Sequence, residues 1–204
     1  MRKVIYSMFV SLDGFIEGPN RDLDWHIVGE ELHKYVNDQE RAIDTYLYGR
    51  RMYEVMSYWQ TADTNPSSPE YEVEYAHIWK SIPKIVFSKT LERVEGNARL
   101  VRENIAEEIA KLKEQPGKIL GLGGADIAST FMRLGLIDEY QLYVHPVVLG
   151  GGTPMFSAFD NKINLRLVET RKFGSGVVLL RYQPDGKETK WRIKHSPSRA
   201  DSQR

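Results

Sequence analysis

Two adjacent guanidinium groups, Arg50 and Arg51, follow the strand-like run Asp44-Thr45-Tyr46-Leu47-Tyr48 and Gly49, and open a stretch of helical character. Cations at a helix start oppose the positive end of the macrodipole, so the pair asks for an anionic partner. Forked arginine donors match phosphate oxygens, and a nucleotide 2′-phosphate would satisfy them. The plain alternative is a solvated pair, or one Arg held by Glu54 or Asp44. A second candidate is Gly121-Leu122-Gly123-Gly124-Ala125-Asp126, where a strand meets glycines and then a helix. Such a turn aims backbone N–H groups and a helix N-terminus at a phosphate. It departs from the dinucleotide fingerprint, because the last glycine position holds Asp126, and it lacks the Lys-Ser/Thr of a P-loop. A tight structural turn explains it equally well on its own. The third is Ser88-Lys89-Thr90, hydroxyl and ammonium donors at a strand end, where open α/β sheets collect ligands.

The elements that must position these groups alternate. Residues 3–11, 44–48, 83–88, 98–101, 118–122 and 139–145 read as strands; 29–41, 50–59, 71–81, 105–114 and 125–134 read as helices. Gly14, Gly18, Pro19 and Asn20 mark a loop after the first strand, and Asn65-Pro66-Ser67-Ser68-Pro69 a break. Leu165 to Lys172 and Val177 to Tyr182, joined by Phe173-Gly174-Ser175-Gly176, read as an antiparallel hairpin. The pattern predicts one α/β domain over 1–182, a mostly parallel sheet closed by that hairpin, and a polar tail over 183–204.

Composition narrows the function. The 204 residues hold 28 Lys plus Arg against 28 Asp plus Glu, so no whole-chain field favours nucleic acid or an anionic membrane. The absence of cysteine excludes thiolate metal sites, Fe–S clusters and a cysteine nucleophile. Histidines 26, 33, 77, 145 and 195 lack paired metal spacing, and no metal is expected. No run of about 18 apolar residues occurs, and the apolar start fails as a signal peptide, which predicts a soluble, cytoplasmic protein.

Ser11-Leu12-Asp13-Gly14-Phe15-Ile16, Leu47-Tyr48-Gly49-Arg50-Arg51-Met52-Tyr53-Glu54, Ile85-Val86-Phe87-Ser88-Lys89, Gly121-Leu122-Gly123-Gly124, Gly135-Leu136-Ile137-Asp138-Glu139 and Pro146-Val147-Val148-Leu149-Gly150-Gly151-Gly152 resemble, in order, the dihydrofolate reductase-like family. Within it they are most similar to the riboflavin-biosynthesis reductase branch, the RibD C-terminal domain. The resemblance implies a three-layer α/β/α fold with a mostly parallel, twisted eight-stranded sheet and NADPH bound across the strand ends. It implies that Arg50 and Arg51, after Gly49, hold the adenosine phosphates, with Ser88 and Lys89 near the 2′-phosphate. Gly121, Gly123 and Gly124 would admit the pyrophosphate to the backbone, Ala125 and Asp126 would start the helix beside it, and Val10, Ser11 and Ile16 would flank the nicotinamide. Dihydrofolate reductases proper carry a cis peptide at the corresponding glycine pair; the residues leave that geometry open for Gly123–Gly124.

Two departures matter: Met52 stands where reductases of this superfamily often place Thr, and Asp126 adds negative charge at an anion site. Glu30 falls near the folate-binding carboxylate of true dihydrofolate reductases, but its neighbours differ, so folate is disfavoured. Glu30 and Asp13 are the candidate proton donors, beside Glu17 and His26; each has a rival reading as a solvated charge, a turn former or a surface loop residue. The implied activity is NADPH-dependent hydride transfer to a small heterocyclic substrate. The alternatives are 5-amino-6-(5-phosphoribosylamino)uracil reduction and an NADPH-binding sensor without turnover. A homodimer is expected, on the resemblance and on the apolar strand 140–144 feeding a glycine loop.

Overall fold

The computed structural model describes residues 1–157 and 162–186. Ten strands and five α-helices follow one another as β1 (Lys3–Ser11), β2 (Phe15–Glu17), α1 (Glu30–Glu40), β3 (Ile43–Gly49), α2 (Arg50–Met56), α3 (Glu70–Ser81), β4 (Lys84–Phe87), β5 (Ala98–Val101), α4 (Ile105–Glu114), β6 (Ile119–Gly123), α5 (Ala125–Arg133), β7 (Glu139–His145), β8 (Thr153–Pro154), β9 (Leu165–Lys172) and β10 (Val178–Pro184). Eight strands form one sheet in the order β5-β4-β3-β6-β1-β7-β10-β9. The six from β5 to β7 run parallel, and β10 lies antiparallel to both β7 and β9. The hairpin predicted from 165–182 is therefore the sheet's antiparallel end. Its last strand runs two residues beyond Tyr182, so Gln183 and Pro184 belong to the sheet and not to a tail. Residues 187–204, the rest of the expected tail, lie outside the described residues.

The interior parallel strands are apolar on both faces because helices cover both. On one face Val4, Tyr6, Leu120 and Leu122 pack against Ile109 of α4 and Phe131 of α5. On the other, Tyr46 and Tyr48 meet Tyr75 and Trp79 of α3, and Tyr143 and Leu179 meet Leu32 of α1. Two local readings change. Phe15–Glu17, read as loop, is a short strand paired antiparallel with β8. The helix expected over 50–59 ends its α-helical part at Met56 and tightens to a 3-10 turn over Ser57–Gln60. Ser57 Oγ donates to the Tyr53 carbonyl at 2.7 Å, the i−4 back-bond by which serine bends a helix end.

The feature that matters for function is a split in the sheet. Strand β1 pairs with β6 only over Lys3–Tyr6, but with β7 over Ile5–Ser11. Strand β6 stops at Gly123, and Gly124, at φ +102°, turns the chain into α5. The C-terminal half of β1 thus has a strand on one side only. A cleft of about 970 Å³ opens there. Among the described residues no helix is long and apolar enough to cross a membrane.

Candidate functional site

The cleft lies over the C-terminal ends of β1, β3 and β6, with Gly49, Arg50 and Arg51 of the β3–α2 turn and Gly124, Ala125 and Asp126 of the β6–α5 turn in its wall. Neither helix carries a side-chain cap: Gly49 precedes α2 and Gly124 precedes α5. The first-turn N–H groups of both are left to a ligand or water. Gly49 approaches Ile127 closely enough that a Cβ there would touch it at 3.4 Å, which brings the two helix starts side by side. The sequence placed these turns far apart; parallel pairing of β3 with β6 joins them.

The two arginines part company. Arg50 donates from Nε to Glu54 Oε1 at 2.7 Å and from a terminal nitrogen to Thr90 Oγ1 at 3.1 Å, so it reaches the loop after β4. Arg51 turns the other way and donates to Glu17 Oε1 at 2.8 Å, while Thr153 donates to Glu17 Oε2 at 3.0 Å. The Arg50–Glu54 pairing weighed from the sequence is thus present, but its side chains are 51% and 38% exposed and exchange readily for a better anion. The Glu17 side chain is only 9% exposed, which makes Arg51 a fixed partner.

Other predicted residues are placed as follows. Ser88 Oγ accepts the N–H groups of Thr90 at 3.2 Å and Leu91 at 3.0 Å and so shapes the turn that Arg50 meets; Lys89 is exposed beside it. Gly121 and Gly123 lie under the cleft, not in its wall. A Cβ on Gly121 would collide with Ile43 at 2.8 Å, and one on Gly123 would crowd Met52 at 3.0 Å. Met52, where a hydroxyl was the alternative, lines the cleft and packs against both Gly123 and Gly124, so an apolar side chain stands where a phosphate-binding hydroxyl would be. Among the described residues no peptide bond is cis, Gly123–Gly124 included. Asp126 is exposed on the first turn of α5.

Ile16 lines the cleft, but Val10 and Ser11 do not; Ser7, Met8 and Phe9 take that place. The split begins after Tyr6, so the open edge of β1 lies earlier than expected, and Val10 points into the core at 2% exposure. Ser11 Oγ donates to Asp13 Oδ1 at 2.7 Å and accepts the Phe15 N–H.

Neither candidate proton donor is in the wall. Asp13 accepts the backbone N–H groups of Leu149 at 3.1 Å and Gly150 at 2.7 Å, and with the Ser11 hydroxyl these hold its carboxyl below the usual range. It is a clasp between two loops. Glu30 stands exposed on α1 beside Lys34, at 2.6 Å, which lowers its pKa. The structure does not bring either carboxylate to the cleft.

The far end of the cleft is of another kind. His26, Phe9 and Tyr143 form one side, and His33, Trp59 and Tyr75 the other. Ring centroids are 5.3 Å apart for Phe9 with both His26 and Tyr143, and 4.5 Å for Trp59 with Tyr75. Behind His26 lies His145, fully buried, whose Nδ1 accepts the Ile27 N–H at 3.1 Å. Burial pushes both imidazoles down to about 4, and for His145 the neighbouring His26 adds to the effect. Of this group the sequence had put forward His26 as a site candidate. His33 was weighed only as a metal ligand, although its i, i+4 spacing to Asn37 on the buried face of α1 was a usable signal.

Residues 2–179 match the RibD C-terminal domain family. The chain belongs to that family. It is 41% identical over 186 residues to the Bacillus subtilis (strain 168) protein YyaP, covering 91% of this chain and 96% of that one. Among solved structures it resembles a putative riboflavin biosynthesis protein from Shewanella sp. PV-4, at TM-score 0.70 and 21% identity, covering 91% and 99% of the two chains. It also resembles dihydrofolate reductase from Enterococcus faecalis complexed with NADP(H), at TM-score 0.60 and 15% identity, covering 90% and 96%. The family and these neighbours share the three-layer, dihydrofolate reductase-like fold described above.

Proposed function

We propose that this chain is an NADPH-dependent reductase that delivers a hydride to a small heterocycle. The observation that carries the reading is the split of β1 from β6 in a RibD C-terminal domain, which exposes one edge of a central strand beside two uncapped helix starts and an arginine held only by an exposed pair. The donor set suits a dinucleotide. Ala125–Ile127 present first-turn N–H groups for a pyrophosphate, and Gly124 keeps that approach free of a side chain. Arg50, with Lys89 and Thr90 beside it, supplies the cationic site for a 2′-phosphate. Ser7 to Phe9 and Ile16 flank the position for the reacting ring. NADPH, when bound, supplies the hydride; the chain orients the two rings and excludes water from between them. Asp13 and Glu30 have no part in this reading beyond shaping loops.

Isothermal titration with NADPH and NADH, followed by NADPH oxidation with a panel of heterocycles, tests the proposal. Micromolar NADPH binding, weaker NADH binding and oxidation with one panel member are expected. Binding without oxidation by any heterocycle favours the sensor reading, and equal affinities for the two nucleotides remove the role of Arg50.

A homodimer is also proposed, on different grounds from those in the sequence. The strand 139–145 is interior and cannot serve as a partner surface. The glycine loop is clasped by Asp13. Exposed Leu165, Leu167 and Val168 on edge strand β9 supply the apolar face instead. Light scattering that shows a monomer at tens of micromolar, roughly the range where such contacts form, overturns it.

A further inference from the structure

The aromatic end of the cleft has a polar group whose orientation is fixed from behind. Asn37 Nδ2 donates to the Tyr71 carbonyl at 2.9 Å and to Glu74 Oε2 at 2.6 Å. Both partners only accept, so the amide orientation is settled, and Asn37 Oδ1 is the atom 3.1 Å from His33 Nδ1. An amide oxygen accepts only, so Nδ1 carries the hydrogen and Nε2 carries a lone pair. Nε2 has no partner among the described residues, on a side chain 7% exposed that lines the cleft. Rings surround it: the centroids of Tyr71, Tyr75 and Trp59 lie 4.9, 5.7 and 6.0 Å from that of His33.

Charge at this end is equally informative. The cations of the cleft wall are Arg21, Arg50 and Arg51, and none belongs to the elements that hold the aromatic end. Glu72 of α3 lines that end and adds a negative charge. A phosphate placed there would meet a carboxylate and aromatic faces, without a cationic partner.

We propose that His33 reads the substrate by accepting a hydrogen bond from a ring N–H at Nε2, and that the substrate is an uncharged planar heterocycle carrying no phosphate. Trp59 and Tyr75 on one side and Phe9 on the other give such a ring apolar contact. Asn37 and Glu74 are positioning residues that fix the imidazole tautomer. The proposal rests on the cleft being a reductase's cofactor and substrate cleft, and its test keeps the two readings apart.

Three measurements are needed. Two-bond ¹H–¹⁵N spectra of the histidine-labelled protein report the His33 tautomer without any ligand, with His33→Gln for assignment. The Nδ1–H form is expected, and the Nε2–H form overturns the proposal. The NADPH-saturated protein is then titrated with quinazolin-4-one, its 3-methyl counterpart and uridine 5′-monophosphate. The N–H ring should bind roughly 3- to 10-fold more tightly than the methylated one, the worth of one neutral hydrogen bond, and the nucleotide should not displace it. In His33→Phe and His33→Gln the difference between the two rings should vanish. Equal affinities in the unaltered protein, no ring binding at millimolar concentration, or preference for the phosphorylated probe each overturn the proposal. An NADPH titration of the same samples separates the outcomes: normal NADPH binding with failed ring discrimination defeats this inference alone, whereas absent NADPH binding defeats the reductase reading.

Discussion

At one end of the cleft Arg50, Asp126 and Lys89 stand in solvent on turns that each occupy a few consecutive residues, whereas at the other His33, Tyr75 and Tyr143 are buried side chains from three separate elements. The first end is made by glycines that leave backbone N–H groups uncovered, and these charges are exposed. The second is made by packing, and its polar atoms have fixed roles because the surroundings permit only one arrangement. A cofactor common to many enzymes suits local, repeatable turns; a particular substrate needs a shape that only tertiary packing supplies.

If the charged end depends on backbone turns, a single methyl in such a turn should do more harm than loss of any one charge. Gly152, at φ +130°, packs so that a Cβ would lie 1.9 Å from the backbone carbonyl oxygen of Glu17, whose side chain is Arg51's fixed partner. Gly152→Ala should cost about 3–5 kcal/mol, from a strained backbone and a clash that no side-chain rotation relieves. Thermal unfolding should drop by roughly 6–20 °C for a chain of this size. A loss below about 1 kcal/mol would show that the lip around Glu17 yields freely, and the contrast between the two ends would weaken.

The aromatic end should reveal itself through pH instead. His26 and His145 have folded-state values lowered to about 4, by burial first and, for His145, by the facing His26; Asp22 acts in the opposite sense on His26. A lowered folded value means that the unfolded chain takes up protons first. Stability should therefore be full above about pH 6.5 and fall from there to about pH 4, by on the order of 2 kcal/mol for each imidazole. His145→Asn keeps an acceptor for the Ile27 N–H and removes one titration, so urea unfolding across this range should show a shallower decline. An unchanged slope would mean that the pair is hydrated and that this end is not closed.

How far the sequence carried the fold follows from the same division. Hydrophobic runs and Gly/Pro punctuation placed all eight strands of the main sheet, because buried parallel strands are continuous apolar runs. The short β2 and β8 escaped, since three and two residues carry no period. Arg50, Arg51, Gly124 and Asp126 were legible because each turn is local. The opposite courses of Arg50 and Arg51 were not, because Glu17 and Thr90 reach them through tertiary contacts. Val10 and Ser11 were placed too far along β1, since where β1 leaves β6 depends on where β6 ends. Asp13 was suggested by type, and Glu30 by type and by the place the resemblance gave it, and neither says whether a carboxylate faces a cleft, a lysine or a loop.

The charged end is next tested through Arg50, whose pairing is exposed and exchangeable. On the proposed function Arg50→Ala removes a charge-assisted contact to the 2′-phosphate and should weaken NADPH by about 1.5–3 kcal/mol, roughly 10- to 150-fold, while leaving NADH unaffected. Its thermal midpoint should hardly move, because the partner pair is exposed. Arg51→Ala should do the reverse. It strands the largely buried Glu17 carboxylate, so stability falls while the ratio of NADPH to NADH affinity stays near its original value. If both variants change the ratio alike, the two arginines act as one site, and the divergence seen in their hydrogen bonds has no functional meaning.

The smallest effect expected is also the one that separates a structural Arg50 from a waiting one. In the structure Glu54 Oε1 accepts from Arg50 Nε at 2.7 Å, one turn along α2, with both side chains well exposed. An i, i+4 pair of this kind contributes about 0.3–0.5 kcal/mol, so Glu54→Gln should be nearly silent in thermal unfolding. Binding should tell the two roles apart. A phosphate arriving at Arg50 has to displace the Glu54 carboxylate and then sit near its charge, and the neutral amide removes both penalties. NADPH should bind Glu54→Gln roughly 2- to 3-fold more tightly, the same few tenths of a kilocalorie per mole read as affinity, with NADH unchanged. The gain should fade as salt is raised, because solvent-exposed charges are screened beyond about 10 Å at 0.1 M. Weaker NADPH binding in this variant would mean that Glu54 holds Arg50 in its binding position, and the charged end would then be as preorganised as the aromatic one.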